Sequence, residues 1–219
     1  MDKYIQIRES IECLNSPVDN EPEQMLSVLN SLNDQLSGMT SEEALIFVSE
    51  LDCSMTAATV CIGLVCDALE RHDIHSARDY AAAHDAFDAT SLEERHPGFG
   101  YVMIAVTTDT DEDFDQLLRV IGRKEPVERA LALGGTLMSL PRTRISEAHA
   151  DRIQRNFVAI IEQMLAQDMS VFCEFVVRFE RLLSDGDALD EPVWSDFIRD
   201  MKGVIAHSMI HGIVQTALN

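Results

Sequence analysis

Apolar residues recur at every third or fourth position through most of the chain, which is the spacing of one face of an α-helix. The spacing predicts helices over about 4–14, 25–36, 40–51, 55–71, 77–87, 114–121, 127–140, 145–165 and 171–183, and a long last helix from 192 toward 218. The segment YVMIAV at 101–106 has strand propensity, but no other strand candidate exists to pair with it, so we expect a helix. The pattern predicts an all-α fold, a compact array of about ten helices with short connections.

The segment at about 55–71 differs from the others because apolar residues cover most of its circumference. This pattern is typical of a helix that other helices surround, so we place it at the buried centre of the array. The clearest break in the chain is RHPGFG at 95–100, which marks a sub-boundary near 90–100. Because so apolar a helix needs partners from both sides of that break, we expect residues 1–219 to form one domain.

Charge is distributed unevenly along the chain, whose formal net charge is -21. Residues 1–118 hold 24 acidic and 5 basic residues, whereas residues 119–219 hold 14 acidic and 12 basic ones. An acidic surface repels nucleic acid and anionic membranes, so we expect direct binding to neither. The more basic segment at 119–155 is complementary to the acidic half of the same chain or of a second copy.

Three sequence features indicate the cellular compartment of the protein. The longest apolar stretches, at 60–65 and 101–106, are too short to span a bilayer. The N-terminal sequence MDKYIQIRESIECLN lacks the basic and continuous apolar regions of a signal peptide. The odd number of cysteines and the lack of a CxxC pair favour small buried side chains over disulfides or zinc ligands. These cysteines are Cys13, Cys53, Cys61, Cys66 and Cys173. Together these features predict a cytoplasmic protein.

The stretch DTDEDFD at 109–115 has five acids in seven residues. It fails as an EF-hand calcium loop, because Phe114 and Val120 stand where the loop needs a glycine and a bidentate glutamate. It fits the start of a helix, with Thr110 as the N-cap and acids in the first turn, beside the positive end of the helix dipole. Weak divalent-ion binding and contact with a partner are the alternatives.

Acidic residues are also dense on the N-terminal side of this stretch, and two interpretations stay open. In one, the acidic half imitates the phosphates of nucleic acid and binds a basic protein partner. In the other, the acids form a solvated face that aids solubility. The candidates for partner binding are Asp85, Asp88, Glu93, Glu94, Asp109, Asp111, Glu112, Asp113 and Asp115.

Histidines supply the candidates for a metal site. His207 and His211 are four residues apart on the last predicted helix, so they share a face, as two metal ligands on one helix must. The first of them has no glutamate beside it, unlike the HExxH motif of metalloproteases. Hydrolysis would therefore need a third ligand from elsewhere in the chain.

A second cluster contains His72, His75, His84 and Asp85. Its two His-Asp pairs, at 72–73 and 84–85, resemble the metal-binding doublet of helical HD-type phosphohydrolases, over two residues each time. The resemblance implies a metal-dependent hydrolase. The default expectation is that these histidines are structural and that the protein has no cofactor.

The last predicted helix carries a wide apolar stripe that includes the only tryptophan. Either it closes the core or it also supplies a dimer seam, since Trp and Met are enriched at such contacts. The seam candidates are Trp194, Phe197, Met201, Ile205 and Met209.

The sequence has no nucleophile elbow, no glycine-rich phosphate loop and no dinucleotide fingerprint. The first hypothesis is therefore a non-enzymatic, acidic, helical module that binds a basic, nucleic-acid-handling protein. An inhibitor or decoy that occupies a nucleic-acid-binding surface is its leading form, and self-association is a further expectation. The alternative is a helical metal-dependent hydrolase that uses one of the His/Asp clusters.

Overall fold

The computed structural model describes residues 3–16, 22–90, 98–139 and 145–187. They form the helices α1 (Lys3–Asn15), α2 (Pro22–Leu36), α3 (Ser41–Val48), α4 (Ser54–Glu70), α5 (Ile74–Thr90), α6 (Phe99–Thr108), α7 (Asp111–Ile121), α8 (Pro126–Ser139), α9 (Glu147–Gln167) and α10 (Met169–Asp187). No strand occurs in these ranges, so the all-α prediction is confirmed. The ambiguous segment at 101–106 lies inside α6.

Capping explains where α3 begins. The hydroxyl of Thr40 accepts a hydrogen bond from the N–H of Glu43, and the carboxylate of Glu43 accepts one from the N–H of Thr40, both at 3.3 Å. The two bonds satisfy amide donors that a helix leaves unpaired in its first turn. The start predicted from the spacing of Thr40 and Glu43 is confirmed.

The chain divides into two compact units, Met1–Ala105 and Val106–Asn219. In the first unit α4 packs along α5, while α2 lies against both α1 and α4. Gly100 of α6 meets α5 so closely that a Cβ there would lie 2.8 Å from the Cβ of Ala81, so only glycine allows this approach. A single domain over 1–219 with a sub-boundary near 90–100 remains a prediction.

The apolar helix α4 places much of its surface in the core of the first unit. Its buried residues are Ala57, Ala58, Val60, Cys61, Leu64, Val65, Ala68 and Leu69. Met55 and Thr59 of the same helix are exposed. The helix is therefore covered on one broad side, and its place at the centre of the whole array remains a prediction.

The second unit is built around α8, α9 and α10, which pack against one another. Phe157 of α9 and Phe179 of α10 form an aromatic cluster, with 5.7 Å between their ring centroids. Gly134 of α8 faces this cluster, and a Cβ at that position would lie 2.3 Å from Cε2 of Phe179. The glycine therefore sets how closely α8 approaches α10.

All five cysteines are free thiols, but their burial differs from the expectation. Only Cys61 is fully buried, and burial raises its pKa to about 12. Cys53 and Cys173 are exposed, so the prediction of small buried side chains was wrong for these two. Their positions at the start of α4 and on an uncovered side of α10 explain the difference.

Several predicted features lie outside the described residues. These are the long C-terminal helix with Trp194, Phe197, Met201, Ile205 and Met209, the pair His207 and His211, and the acids Glu93 and Glu94. Among the helices that the structure describes, none combines the length and apolar character needed to cross a membrane.

Candidate functional site

The acidic stretch at 109–115 is the start of a helix, as predicted. Thr110 has the extended backbone of an N-cap, with φ -107° and ψ 147°, and its hydroxyl accepts a hydrogen bond from the N–H of Asp113 at 3.3 Å. The Asp113 carboxylate in turn accepts hydrogen bonds from the hydroxyls of Thr110, at 2.8 Å, and Thr108, at 2.9 Å. Helix α7 begins at Asp111 and buries Phe114 on its core face.

A histidine that the sequence did not single out joins this acidic stretch to α9. His149 lies in the first turn of α9, and its Nδ1 is 2.7 Å from Oδ1 of Asp109. Its Nε2 is 3.0 Å from Oδ1 of Asp111, so each ring nitrogen faces a carboxylate oxygen. Pairs separated by about 40 residues leave no signal in helical periodicity, which explains why His149 was missed.

The surroundings of His149 favour its charged form. Burial by itself lowers the pKa of His149, but hydrogen bonds to Asp109 and Asp111 and the negative charge of both groups outweigh burial, so the pKa is raised. Asp109 and Asp111 can both accept a hydrogen bond from the ring only when both ring nitrogens carry a hydrogen. The arrangement therefore favours the imidazolium form of the ring.

Asp109 connects the turn before α7 to the first residues of α9. Its Oδ2 accepts a hydrogen bond from the N–H of Ser146, the N-cap of α9, at 3.0 Å. In a capping box, a glutamate in the first turn of the same helix accepts the hydrogen bond from the N-cap N–H. In α9 the distant Asp109 accepts that bond, and His149 takes the place of the glutamate in the first turn. The hydrogen bond from His149, and then that from the Ser146 N–H, lower the pKa of Asp109.

The backbone of Asp109 is held in an uncommon conformation, with φ 49°. Left-handed backbone is unfavourable for residues other than glycine, although aspartate tolerates it better than most. The bonds to Ser146 and His149 hold the residue in place, so the turn and the start of α9 stabilise each other.

A second link between the acidic stretch and α9 is the ion pair of Arg152 with Asp115. Arg152 lies three residues after His149, so the two basic side chains project from nearby positions of α9. Three of the five acids at 109–115 therefore pair with basic groups of α9, and Asp113 accepts hydrogen bonds from the hydroxyls of Thr108 and Thr110. The stretch is used mainly inside the second unit.

Ser146, His149 and Asp109 are the residue types of a Ser-His-Asp hydrolase, but their arrangement differs from that of a catalytic triad. The Ser146 hydroxyl lies 2.9 Å from Nδ1 of His149, which is the nitrogen that Asp109 also occupies. In a catalytic triad, the serine hydroxyl bonds one ring nitrogen of the histidine and the carboxylate bonds the other. In this site Asp111 takes that opposite nitrogen, so the geometry supports capping and ion pairing rather than nucleophilic attack.

The remaining partner-binding candidates have different environments. Asp88 and Asp113 are buried, so these two carboxylates do not belong to an exposed acidic face. Asp85 is half-buried and accepts a hydrogen bond from the N–H of Gly98 at 3.1 Å. Glu112 is exposed.

The histidines of the first unit do not converge on one site. His75 and His84 are nine residues apart on α5, which separates them by half a turn around the helix and about 14 Å along it. His75 is exposed and lies 4.0 Å from Asp79, whereas His84 is buried. His72 lies in the turn before α5, with φ 59°. In the described ranges no three His, Cys, Asp or Glu side chains are grouped so that they could hold a metal ion.

The first unit presents a strongly acidic surface. Its exposed acids in the described ranges are Glu9, Glu12, Glu23, Asp34, Glu42, Glu43, Glu50, Asp52, Glu70 and Asp73. Its exposed basic residues in the same ranges are Lys3, Arg8 and Arg71. The described surface of this unit therefore has more than three exposed carboxylates for each exposed basic group.

Comparison of the chain with protein-family models, with curated proteins and with solved structures finds no match.

Proposed function

We propose that this protein is a non-enzymatic interaction module that binds a basic protein through the acidic surface of its first unit. The proposal rests on one observation, the excess of ten exposed carboxylates over three exposed basic residues in the described part of that unit. Carboxylates that are not paired within the chain are available to a partner. Exposed charges of one sign raise association rates with oppositely charged proteins and repel polyanions.

This proposal assigns the acidic stretch at 109–115 a different task from the surface of the first unit. Asp109, Asp111 and Asp115 pair with groups of α9. Carboxylates that already pair with a cation attract a partner less than solvated ones do. We therefore assign partner binding first to the exposed acids of α1 and α2, such as Glu9, Glu12 and Asp34.

The leading form of the proposal is an inhibitor or decoy. A basic partner that handles nucleic acid uses Lys and Arg to neutralise phosphates, and a carboxylate-rich surface competes for the same side chains. Binding of this kind weakens steeply as salt rises, because screening acts on exposed charges. A decoy and the nucleic acid must therefore exclude each other on the partner.

The test compares two variants that each lose three negative charges. The first combines Glu9→Gln, Glu12→Gln and Asp34→Asn in the first unit, and the control combines Asp151→Asn, Glu162→Gln and Glu125→Gln in the second. All six side chains are exposed. Wild type and both variants are used to capture proteins at low salt, and the affinity of each captured protein is measured by calorimetry at two salt concentrations.

We expect a basic partner whose affinity falls roughly ten-fold with the first variant, since each exposed charge contributes about 0.2–1 kcal/mol, and changes little with the control. The decoy form also requires that duplex DNA or RNA displaces the partner. A partner that binds both variants as tightly as wild type contradicts the assignment to the first unit. The capture of neutral partners alone, with no salt dependence, contradicts the electrostatic mode of binding.

A further inference from the structure

The two ring nitrogens of His149 and the two carboxylates that face them form a junction between the start of α7 and the start of α9. Asp109 is held on two sides, by His149 and by the N–H of Ser146. Asp111 has His149 as its ion-pair partner among the described residues, and its side chain is 91% exposed. The two carboxylates therefore differ in how firmly they are held.

Removal of one proton from this ring forces a change in the hydrogen bonds. A neutral imidazole has one N–H and one lone pair, so one carboxylate oxygen would face a lone pair at 2.7 or 3.0 Å. Asp109 cannot leave without breaking its bond to Ser146. The exposed Asp111 can rotate into water at little cost, so the remaining proton stays on Nδ1.

We propose that His149 is a pH-sensitive clamp, in which the imidazolium holds Asp109 and Asp111 together and loss of the Nε2 proton releases Asp111 from α9. The clamp does not depend on the proposed function, because it rests on groups of the second unit alone. Release also makes the acidic stretch at 109–115 more negative. Two carboxylates and one imidazolium carry a net charge of -1, and the same groups carry -2 after the proton is lost.

Other charged groups near the junction have different partners. On α9 itself, Glu147 and Asp151 are exposed, and Arg152 pairs with Asp115 of α7. On α7, Asp113 accepts hydrogen bonds from two threonine hydroxyls, and Glu112 is exposed.

The two helices that pack along α9 carry few charges in their described side chains. The titratable residues of α8 are Glu128 and Arg129, and Arg129 bonds Gln163 near the other end of α9. On α10, Arg178 pairs with Glu174. Among the described side chains, the ion-pair partners of His149 are thus the two clamp carboxylates.

The direction in which pH changes the stability of the clamp follows from the direction in which each pKa is shifted. The pKa of His149 is raised in the folded protein, so its contribution to stability is complete below the ordinary pKa of about 6.5 and is lost as pH rises through the folded value. The pKa of Asp109 is lowered, so its contribution is present above the ordinary aspartate value of about 3.9 and is lost as pH falls through the folded value. The clamp is therefore closed between these two limits.

The test is an NMR titration of the His149 ring nitrogens in the wild type, in Asp111→Asn and in Asp115→Asn. Asp115 lies on the same helix turn but pairs with Arg152 instead, so its variant is the matched control. Both substitutions are at exposed positions, so folding is expected to persist. Amide exchange of Ser146 and His149, corrected for intrinsic chemistry, is followed from pH 6 to 9 in the wild type as a second readout.

We expect both ring nitrogens of the wild type to be protonated at pH 6 and to titrate with a midpoint above 6.5. Asp111→Asn lowers that midpoint, whereas Asp115→Asn leaves it nearer the wild-type value. Exchange at the start of α9 accelerates as the ring loses its proton. The proposal is overturned by a wild-type midpoint at or below 6.5, by equal midpoints in the two variants, or by exchange that does not follow the titration.

Discussion

The imidazole ring of His149 stacks on the phenyl ring of Phe114, with 4.1 Å between their centroids and 17° between their planes. Phe114 is fully buried on the core face of α7. The contact therefore combines apolar burial on one side of the imidazole with carboxylates at its edge. A cation over an aromatic face is stabilised by the negative charge density of the ring.

Replacing Phe114 by leucine tests this stack. We expect Phe114→Leu to lower the free energy of unfolding by roughly 1–2 kcal/mol, less than the ~3–5 of a Phe→Ala change. Because the imidazolium contributes to the contact, the loss is expected to be larger at pH 6 than at pH 8.5. Urea denaturation at both pH values measures it. The control Phe172→Leu removes a fully buried ring of α10, and its loss should not vary with pH.

Helix α7 depends on its N-cap. We expect Thr110→Ala to lower the free energy of unfolding by about 1 kcal/mol, because the N–H of Asp113 loses its acceptor. Thr40→Ala, which removes the cap of α3, should have a similar cost. In the control Thr59→Ala, an exposed threonine in the middle of α4 is changed, and an effect within about 0.5 kcal/mol is expected. Chemical denaturation distinguishes the cap positions from the control, and equal effects at all three would contradict the capping role.

The hydroxyl of Tyr80 is buried in the first unit without a hydrogen-bond partner among the described residues. Burial raises the pKa of this phenol. An unsatisfied buried hydroxyl costs about 1–3 kcal/mol. We therefore expect Tyr80→Phe to leave the midpoint of thermal unfolding unchanged or to raise it. Tyr4→Phe, at a side chain that is 51% exposed, should change little. A clear loss of stability in Tyr80→Phe would mean that the hydroxyl has a partner.

Gly134 allows α8 to approach the aromatic cluster of α10. We expect Gly134→Ala to lower the free energy of unfolding by roughly 1–3 kcal/mol, because the added methyl group overlaps the ring of Phe179. This loss outweighs the gain of about 1 kcal/mol that alanine brings to a helix.

A double-mutant cycle separates the overlap from other effects of the alanine. Phe179→Leu leaves room beside position 134, so Gly134→Ala should cost less in the Phe179→Leu background than in the wild type. If the losses in the free energy of unfolding simply add in the double variant, Phe179 is not the obstacle.

Helical periodicity predicted most of this fold because it is a local property. A helix that must bury one face repeats its apolar residues every three or four positions, and the caps at Thr40 and Thr110 depend on residues only three positions away. The sequence also decided α6, because a lone strand would have had no partner. The same logic did not reveal the exposure of Cys53 and Cys173, since periodicity does not state which neighbours cover a face.

The candidate site was predicted less completely. The density of acids at 109–115 was visible in the sequence, and so was their fit to a helix start. That Asp113 is buried and that Asp109 bonds the N-cap of α9 depends on side chains brought together from distant positions. The sequence predicts a site at histidines that have a neighbouring aspartate, whereas His149, which has two aspartates at its ring nitrogens, has no acid beside it in the chain.

The sequence by itself determined the all-α class, the order of the described helices and the large excess of negative charge. Each of these follows from composition or from spacing over a few residues. Only the tertiary structure decided which acids are used within the protein and which face solvent. The pairing of His149 with Asp109 spans 40 residues, and it exists because packing places the starts of α7 and α9 side by side.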